Sequence, residues 1–183
     1  IERLGAARAT VTHHPSCNFN MRNGIAPIPH MMAAGVTIAL GLDDKGINDD
    51  EDAIMELRMV HKMHRLAGYD LAATPAMDAF DVLRVGTVNG ARATGFGETL
   101  GALVPGMKAD AILVDLEEIL EDPWWSGDLD IAEMFVHRAK GHHVASVVVG
   151  GKVVIEDRKF QTVDVEALWR EVRAVCARGL PPA

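Results

Sequence analysis

The sequence predicts an α/β fold followed by a smaller, strand-rich subdomain, and three observations carry that reading. Short apolar runs suited to buried strands alternate with helical patterns through the first half of the chain. From about residue 100 onward, β-branched stretches punctuated by glycine and proline take over. An amphipathic segment over residues 163–177 then closes the chain, with Val165, Leu168, Trp169, Val172 and Val175 on one side. The boundary between the two parts is expected near residues 95–100.

Each element has a local cause. Residues 9–12 alternate around β-branched side chains and run into His13-His14-Pro15, which reads as a short buried strand entering a polar loop. Residues 27–34 read as a short helix stopped by Gly35, and the continuous apolar run 36–40 suits a strand covered on both faces. After the break at residues 41–46, a helix is expected over 49–68, its acidic start (Asp49, Asp50, Glu51, Asp52) matching the positive end of the helix dipole and Gly68 capping its end. Thr74-Pro75 suggests an N-cap and first-turn proline for a helix through Val85, and a further short helix is expected over 89–95. Strands are expected over 100–104 and 111–114, and as a hairpin of 145–149 with 153–155 around Gly150-Gly151. Between them, 120–127 reads as a loop carrying Trp124 and Trp125, which either plug a gap between subdomains or form a lid, and 130–137 as a helix.

The 183 residues are 49% hydrophobic and 24% charged, a globular composition too apolar for a disordered chain. Eighteen basic and 26 acidic residues give a net charge of −8, which disfavours nucleic acid and anionic membranes as partners. The apolar runs fall far short of the ~20 residues of a membrane span, and no signal-peptide layout opens the chain, so a soluble, cytoplasmic protein is expected. Two distant cysteines, Cys17 and Cys176, make neither a disulfide framework nor a cysteine zinc site. The first residue is Ile1, not Met, which raises the expectation of a piece of something longer.

Chemistry is expected at the two strand ends, where α/β folds place their active sites. Asp43 directly follows the second strand and is suited either to bind a metal and take a proton or, equally, to cap a turn with Asp44. Taken alone, His13 reads as a residue fixing the Pro15 loop. His61 and His64 share a helix face at i, i+3, which reads as a solvated or core-edge face rather than a chelate. His142-His143 reads as surface, Cys17 as a buried inert thiol, and the methionines from Met55 onward as helix core.

Four segments together resemble the C-terminal part of the amidohydrolase superfamily, in the branch of cytosine deaminase-like, methylthioadenosine/adenosylhomocysteine deaminase-like and triazine hydrolase-like enzymes. His13-His14-Pro15-Ser16-Cys17-Asn18 with Gly24-Ile25-Ala26-Pro27 is similar to the branch's His-x-Pro-x-x-Asn and Gly-Ile-Ala-Pro signature at strand seven. Gly35-Val36 through Gly41-Leu42-Asp43, followed by Asn48-Asp49-Asp50 and Glu56-Leu57-Arg58, is similar to the eighth barrel strand and the helix after it. Asn89-Gly90-Ala91-Arg92-Ala93, then Gly101-Ala102-Leu103-Val104-Pro105-Gly106 through Ala109-Asp110, resembles the return into a flanking β-sandwich. Val147 through Val154 resembles the closing hairpin, with Gly150-Gly151 in place of Asn-Gly.

The resemblance implies part of a (β/α)8 TIM-type barrel, namely strands seven and eight with their helices, beside strands of a β-sandwich and a C-terminal helix. A whole barrel takes ~250 residues, so residues 1–98 are expected to be its last part, 99–162 a sandwich segment with an inserted helix, and 163–183 the terminal helix. It implies one divalent ion, zinc or iron, that activates water, with Asp43 as both ligand and base. The branch's His-x-His pair, strand-five His and relay Glu and His precede this segment, and no His-x-His occurs in the chain. His13, Asn18, Asp44 and Asn48 are the expected substrate-side residues, His13 without ligating the ion. Leu42 and Asp44 stand where Thr and Gly are usual, and Ile47 replaces a small polar residue, which favours a small amino-heterocycle over a nucleoside.

The expected function is therefore deamination of an amino-substituted heterocycle by the complete enzyme, whose N-terminal half would be this chain's partner. A related hydrolase displacing another leaving group or cleaving an amide C–N bond is the alternative, as is a non-catalytic assembly module. Unpaired barrel edges lead us to expect self-association or binding to the missing half, and no activity from the isolated chain.

Overall fold

A computed structural model describes residues 1–48, 50–65, 76–120 and 130–179, with Asn48 by its backbone alone. In chain order the first part runs α1 (Glu2–Ala6), β1 (Thr10–His13), α2 (Pro15–Asn20), α3 (Ile28–Ala33), β2 (Thr37–Leu40), α4 (Lys45–Asn48), α5 (Ala53–Met63), α6 (Ala79–Gly86) and α7 (Val88–Ala93). The second part runs β3 (Ala111–Val114), α8 (Leu116–Ile119), α9 (Ile131–Arg138), a 3-10 turn at Gly141–His143, β4 (Val144–Val149), β5 (Lys152–Glu156), β6 (Lys159–Phe160) and α10 (Val165–Gly179). The chain has an α/β fold.

β1 and β2 pair in parallel, Thr10 opposite Thr37 through His13 opposite Leu40, so their C-terminal ends lie side by side. The ladder continues past the strands, where the Gly41 N–H donates to the His13 carbonyl over 2.9 Å. A Cβ on Gly41 would stand 2.1 Å from the His14 ring, so only glycine admits that ring at the rim. The Asn89 amide donates to the Ile38 carbonyl over 2.8 Å and ties α7 to the middle of β2.

The core gathers Ile28, Val36 and Ile38 with Leu57 and Val60 of α5, Val82 and Val85 of α6, and Ala132 and Val136 of α9. Helix α9 belongs in sequence to the second part yet packs with α5 and α6. Arg58 fastens it there by donating to the Val136 carbonyl over 3.0 Å and to the Ala139 carbonyl, the free acceptors at the end of α9.

β3, β4, β5 and β6 form an antiparallel sheet in that order, with a hairpin turn at Gly150-Gly151 where both glycines have positive φ. No residue of these four strands is buried, and α10 buries none of its residues either. No helix among the described residues is long and apolar enough to cross a membrane.

Several expectations need correction. Residues 100–104 form no strand: Gly101 takes φ +104°, and a Cβ there would stand 2.9 Å from the Val88 Cα, so this segment turns tightly against α7. Helix α5 starts later than expected, capped by Asp52, whose carboxylate accepts from the Ile54 and Met55 N–H groups. Helix α6 is capped by Asp78; Thr74 and Pro75 lie outside the described residues, as do Asp49, Leu66, Gly68, Trp124 and Trp125. The loop after His13 contains α2, which Pro15 opens at a first-turn position where its missing N–H costs nothing. Of the two placements expected for His61 and His64, the core side holds and the solvated one does not; His143 is buried rather than at the surface, and His142 is exposed.

Candidate active site at the strand ends

Asp43 lies three residues beyond β2, exposed, with φ +66°. That left-handed backbone turns the chain sharply at the rim, and aspartate is among the few side chains that tolerate it. One carboxylate oxygen accepts from the Cys17 thiol (Sγ···Oδ2 2.6 Å) and the other from the Asp44 N–H at 2.9 Å. These two hydrogen bonds, the thiol's first, hold the Asp43 carboxyl below its ordinary range, so it is ionised at neutral pH. The same contact pushes the Cys17 thiol up. Cys17 is thus buried, as expected, and held protonated as a donor rather than a nucleophile.

His13 is 2% exposed at the end of β1 and faces inward. Its Nε2 lies 3.1 Å from the Nε2 of His64, the residue that ends α5, with ring centroids 5.2 Å apart. One ring donates and the other accepts, so at most one carries its proton on Nε2. Burial, with a smaller contribution from neighbouring histidines, lowers His13 to about 4, and burial alone lowers His64 to about 4. Both rings are neutral at pH 7, and the Nδ1 of each lacks a hydrogen-bond partner among the described residues.

On α5, the helix that His64 ends, Glu56 is fully buried and accepts from the Ser16 N–H at 3.1 Å and from the Ser16 hydroxyl. It closes the start of α2, where unpaired N–H groups favour a carboxylate, and thereby positions the helix that carries Cys17. Neither His64 nor Glu56 was a sequence candidate for the site. The His-x-Pro-x-x-Asn stretch gave no signal of its buried partners, because both come from a helix some 40 to 50 residues later.

The other candidates spread along the same rim. Asp44 is exposed, and its carboxylate accepts from the Gly46 N–H at 2.7 Å. Asn18 lies on α2, half-buried, near Asn23. Asn48 ends α4, its side chain outside the described residues. Elsewhere, His61, Glu133 and His137 bring one donor atom each within 4.8 Å of one another, a grouping that combines α5 with α9 and has no counterpart in the linear spacing.

A parallel strand pair with an ionised carboxylate beyond the C-terminal end of one strand and a neutral histidine at the end of the other is an arrangement suited to metal-assisted hydrolysis. The family model of the amidohydrolase family matches residues 1–154, and the chain belongs to that family. The 5-methylthioadenosine/S-adenosylhomocysteine deaminase of Syntrophomonas wolfei is 34% identical over 163 residues, which cover 89% of this chain and 36% of the relative. Among solved structures, an adenosine deaminase from Xanthomonas campestris with bound zinc superposes with a TM-score of 0.83 at 29% identity, covering 97% of this chain and 39% of the other. The atrazine chlorohydrolase of Arthrobacter aurescens complexed with zinc gives 0.82 at 25%, covering 95% and 37%. The chain thus spans well under half the length of the relatives it matches.

Proposed function

We propose that this chain is the C-terminal segment of a metal-dependent aminohydrolase that removes an amino group from a heterocycle. In this reading β1 and β2 are strands seven and eight of a (β/α)8 barrel, with 1–98 the barrel segment, 99–162 the sandwich segment with its inserted helix, and 163–183 the terminal helix. The observation that carries it is the exposed, ionised Asp43 at the end of β2, inside the stretch that matches the family.

The residues present suit one edge of a metal site. Asp43 offers a deprotonated oxygen, as zinc requires, or iron in its place. His13 engages His64 through Nε2 and Glu56 accepts from Ser16, and neither is assigned to the ion in this reading. The remaining ligands belong to the N-terminal half, which supplies the rest of the enzyme in a cytoplasmic homo-oligomer. When bound, the ion supplies Lewis-acid activation of the attacking water. Asp43 would be the residue of this chain that holds the ion, and its carboxylate would also serve as the acceptor for the proton of the attacking water. Asp44 accepts from a ring N–H of the substrate, Asn18 and Asn48 orient it from the rim, and the His13–His64 pair forms the floor. Substrates are amino-heterocycles as a class, adenosine derivatives being those for which the deaminase relatives are named.

The test is ammonia release by the full-length protein from small amino-heterocycles and from adenosine derivatives. Asp43→Ala is expected to lower kcat about a thousandfold or more while circular dichroism is unchanged, and Asp44→Ala to raise KM. An unchanged rate in Asp43→Ala overturns the reading. Turnover of a chloro-substituted ring without ammonia release would favour hydrolytic displacement of another leaving group, as in the chlorohydrolase neighbour.

A further inference from the structure

We propose that His61, Glu133 and His137 form a second metal site, separate from Asp43, that takes a divalent ion of the zinc class. Glu133 and His137 stand at i, i+4 on α9 and so share one face, Oε2 lying 3.0 Å from Nε2. His61 of α5 completes the group from the facing helix, its ring edge-on to that of His137 with centroids 4.7 Å apart. Two imidazoles and one carboxylate suit zinc, cobalt or nickel and do not suit magnesium or calcium, which prefer all-oxygen sites.

An ion placed about 2.1 Å from each donor needs donors roughly 3–4 Å apart, so the 4.8 Å group closes by about an ångström. Glu133 and His137 are partly exposed and free to rotate by that much, while the buried His61 stays in place. Their exposure also leaves a path for the ion and a position for water.

A helix-surface ion pair alone would account for Glu133 and His137, but not for His61. A buried histidine costs more than an apolar residue when one ring nitrogen has no partner, and Nδ1 of His61 has none among the described residues. With a ring nitrogen that no described residue satisfies, His61 is thus a buried imidazole on the face that meets Glu133 and His137. One cation already competes for it: Arg65 donates to Nε2 at 2.7 Å and to the Met77 carbonyl at 3.0 Å. With Nε2 accepting, the His61 proton resides on Nδ1. To take an ion, the ring must either release Arg65 from Nε2 or move the proton off Nδ1, and removing Arg65 eases both.

The test counts zinc by mass spectrometry on the full-length protein after loading and dialysis. His137→Ala is expected to lose about one ion per chain relative to wild type, with circular dichroism unchanged, and Asp43→Ala is expected to retain that ion. Equal counts in wild type and His137→Ala overturn the site, and so does loss of the ion in Asp43→Ala with retention in His137→Ala. Arg65→Met is expected to bind zinc more tightly than wild type, and an unchanged or weaker affinity contradicts the competition on which the site's assignment rests.

Discussion

Ile38 in β2 and Ile112 in β3 both sit inside four-residue, largely apolar strands, yet the first is 1% exposed and the second 50%. The difference is what lies over each strand. β2 is covered by α3, α6 and α7, and its residues join a core reached by α5 and α9. The antiparallel sheet carries Ile112, Leu113, Val149 and Val153 uncovered, and α10 leaves Leu168, Trp169, Val172 and Val175 in solvent. An apolar run therefore states a capacity for burial, and the partner that satisfies it must come from elsewhere in the fold. In the proposed whole enzyme, the absent N-terminal half is the natural source of that cover.

The comparison is sharpest if tested by matched truncations. Ile38→Ala is expected to destabilise by about 2–5 kcal/mol, through lost burial and the cavity left behind. The denaturant midpoint of the full-length protein measures it.

The buried side of the comparison also carries a pH signature. His13 and His64 have folded values of about 4 against an ordinary 6.5, so between those limits the unfolded chain binds more protons than the folded one. Stability is expected to fall as pH drops from about 6.5 to about 4 and to be insensitive to this pair above 7. Lowered His61 and His143 act in the same direction. Denaturant midpoints at pH 7 and 4.5 should differ less in His64→Leu than in wild type, and an equal difference would remove the pair as the cause.

Smaller effects follow at the edges. Asp52→Ala is expected to cost about 1 kcal/mol by uncapping α5, and it also removes the acceptor for the Gly141 N–H that ties in the turn before β4. Ile112→Ala is expected to cost about 1 kcal/mol or less in the 183-residue chain alone, where Ile112 is half exposed. A cost there equal to that of Ile38→Ala would break the comparison. In the full-length protein a larger cost than in the chain alone is expected, because the N-terminal half of the proposed enzyme would be seated on the sheet.

Much of the first part was legible residue by residue. The β1 and β2 runs, the glycine at 41, the aspartate three residues past β2 and the Asn89 motif stand out as local patterns, although the contacts they make, Gly41 with His14, Asp43 with Cys17 and Asn89 with the Ile38 carbonyl, reach across the fold. Helix α2 was missed because Pro15 reads equally well as a loop residue or as the first residue of a helix, and only the carboxylate of Glu56 at its start favours the helix. Residues 100–104 were misread because their β-branched and apolar content outweighed Gly101, whose positive φ is required by contact with α7.

What the sequence determined by itself was the α/β order, the family signature and Asp43 as the strand-end carboxylate, since each depends on residues adjacent in the chain. Tertiary structure alone decided that His64 meets His13, that Glu56 closes α2, and that His61 faces Glu133 and His137. Those contacts join residues tens of positions apart through helix packing, and a side chain's neighbours across a packed interface leave no periodic trace in its own segment.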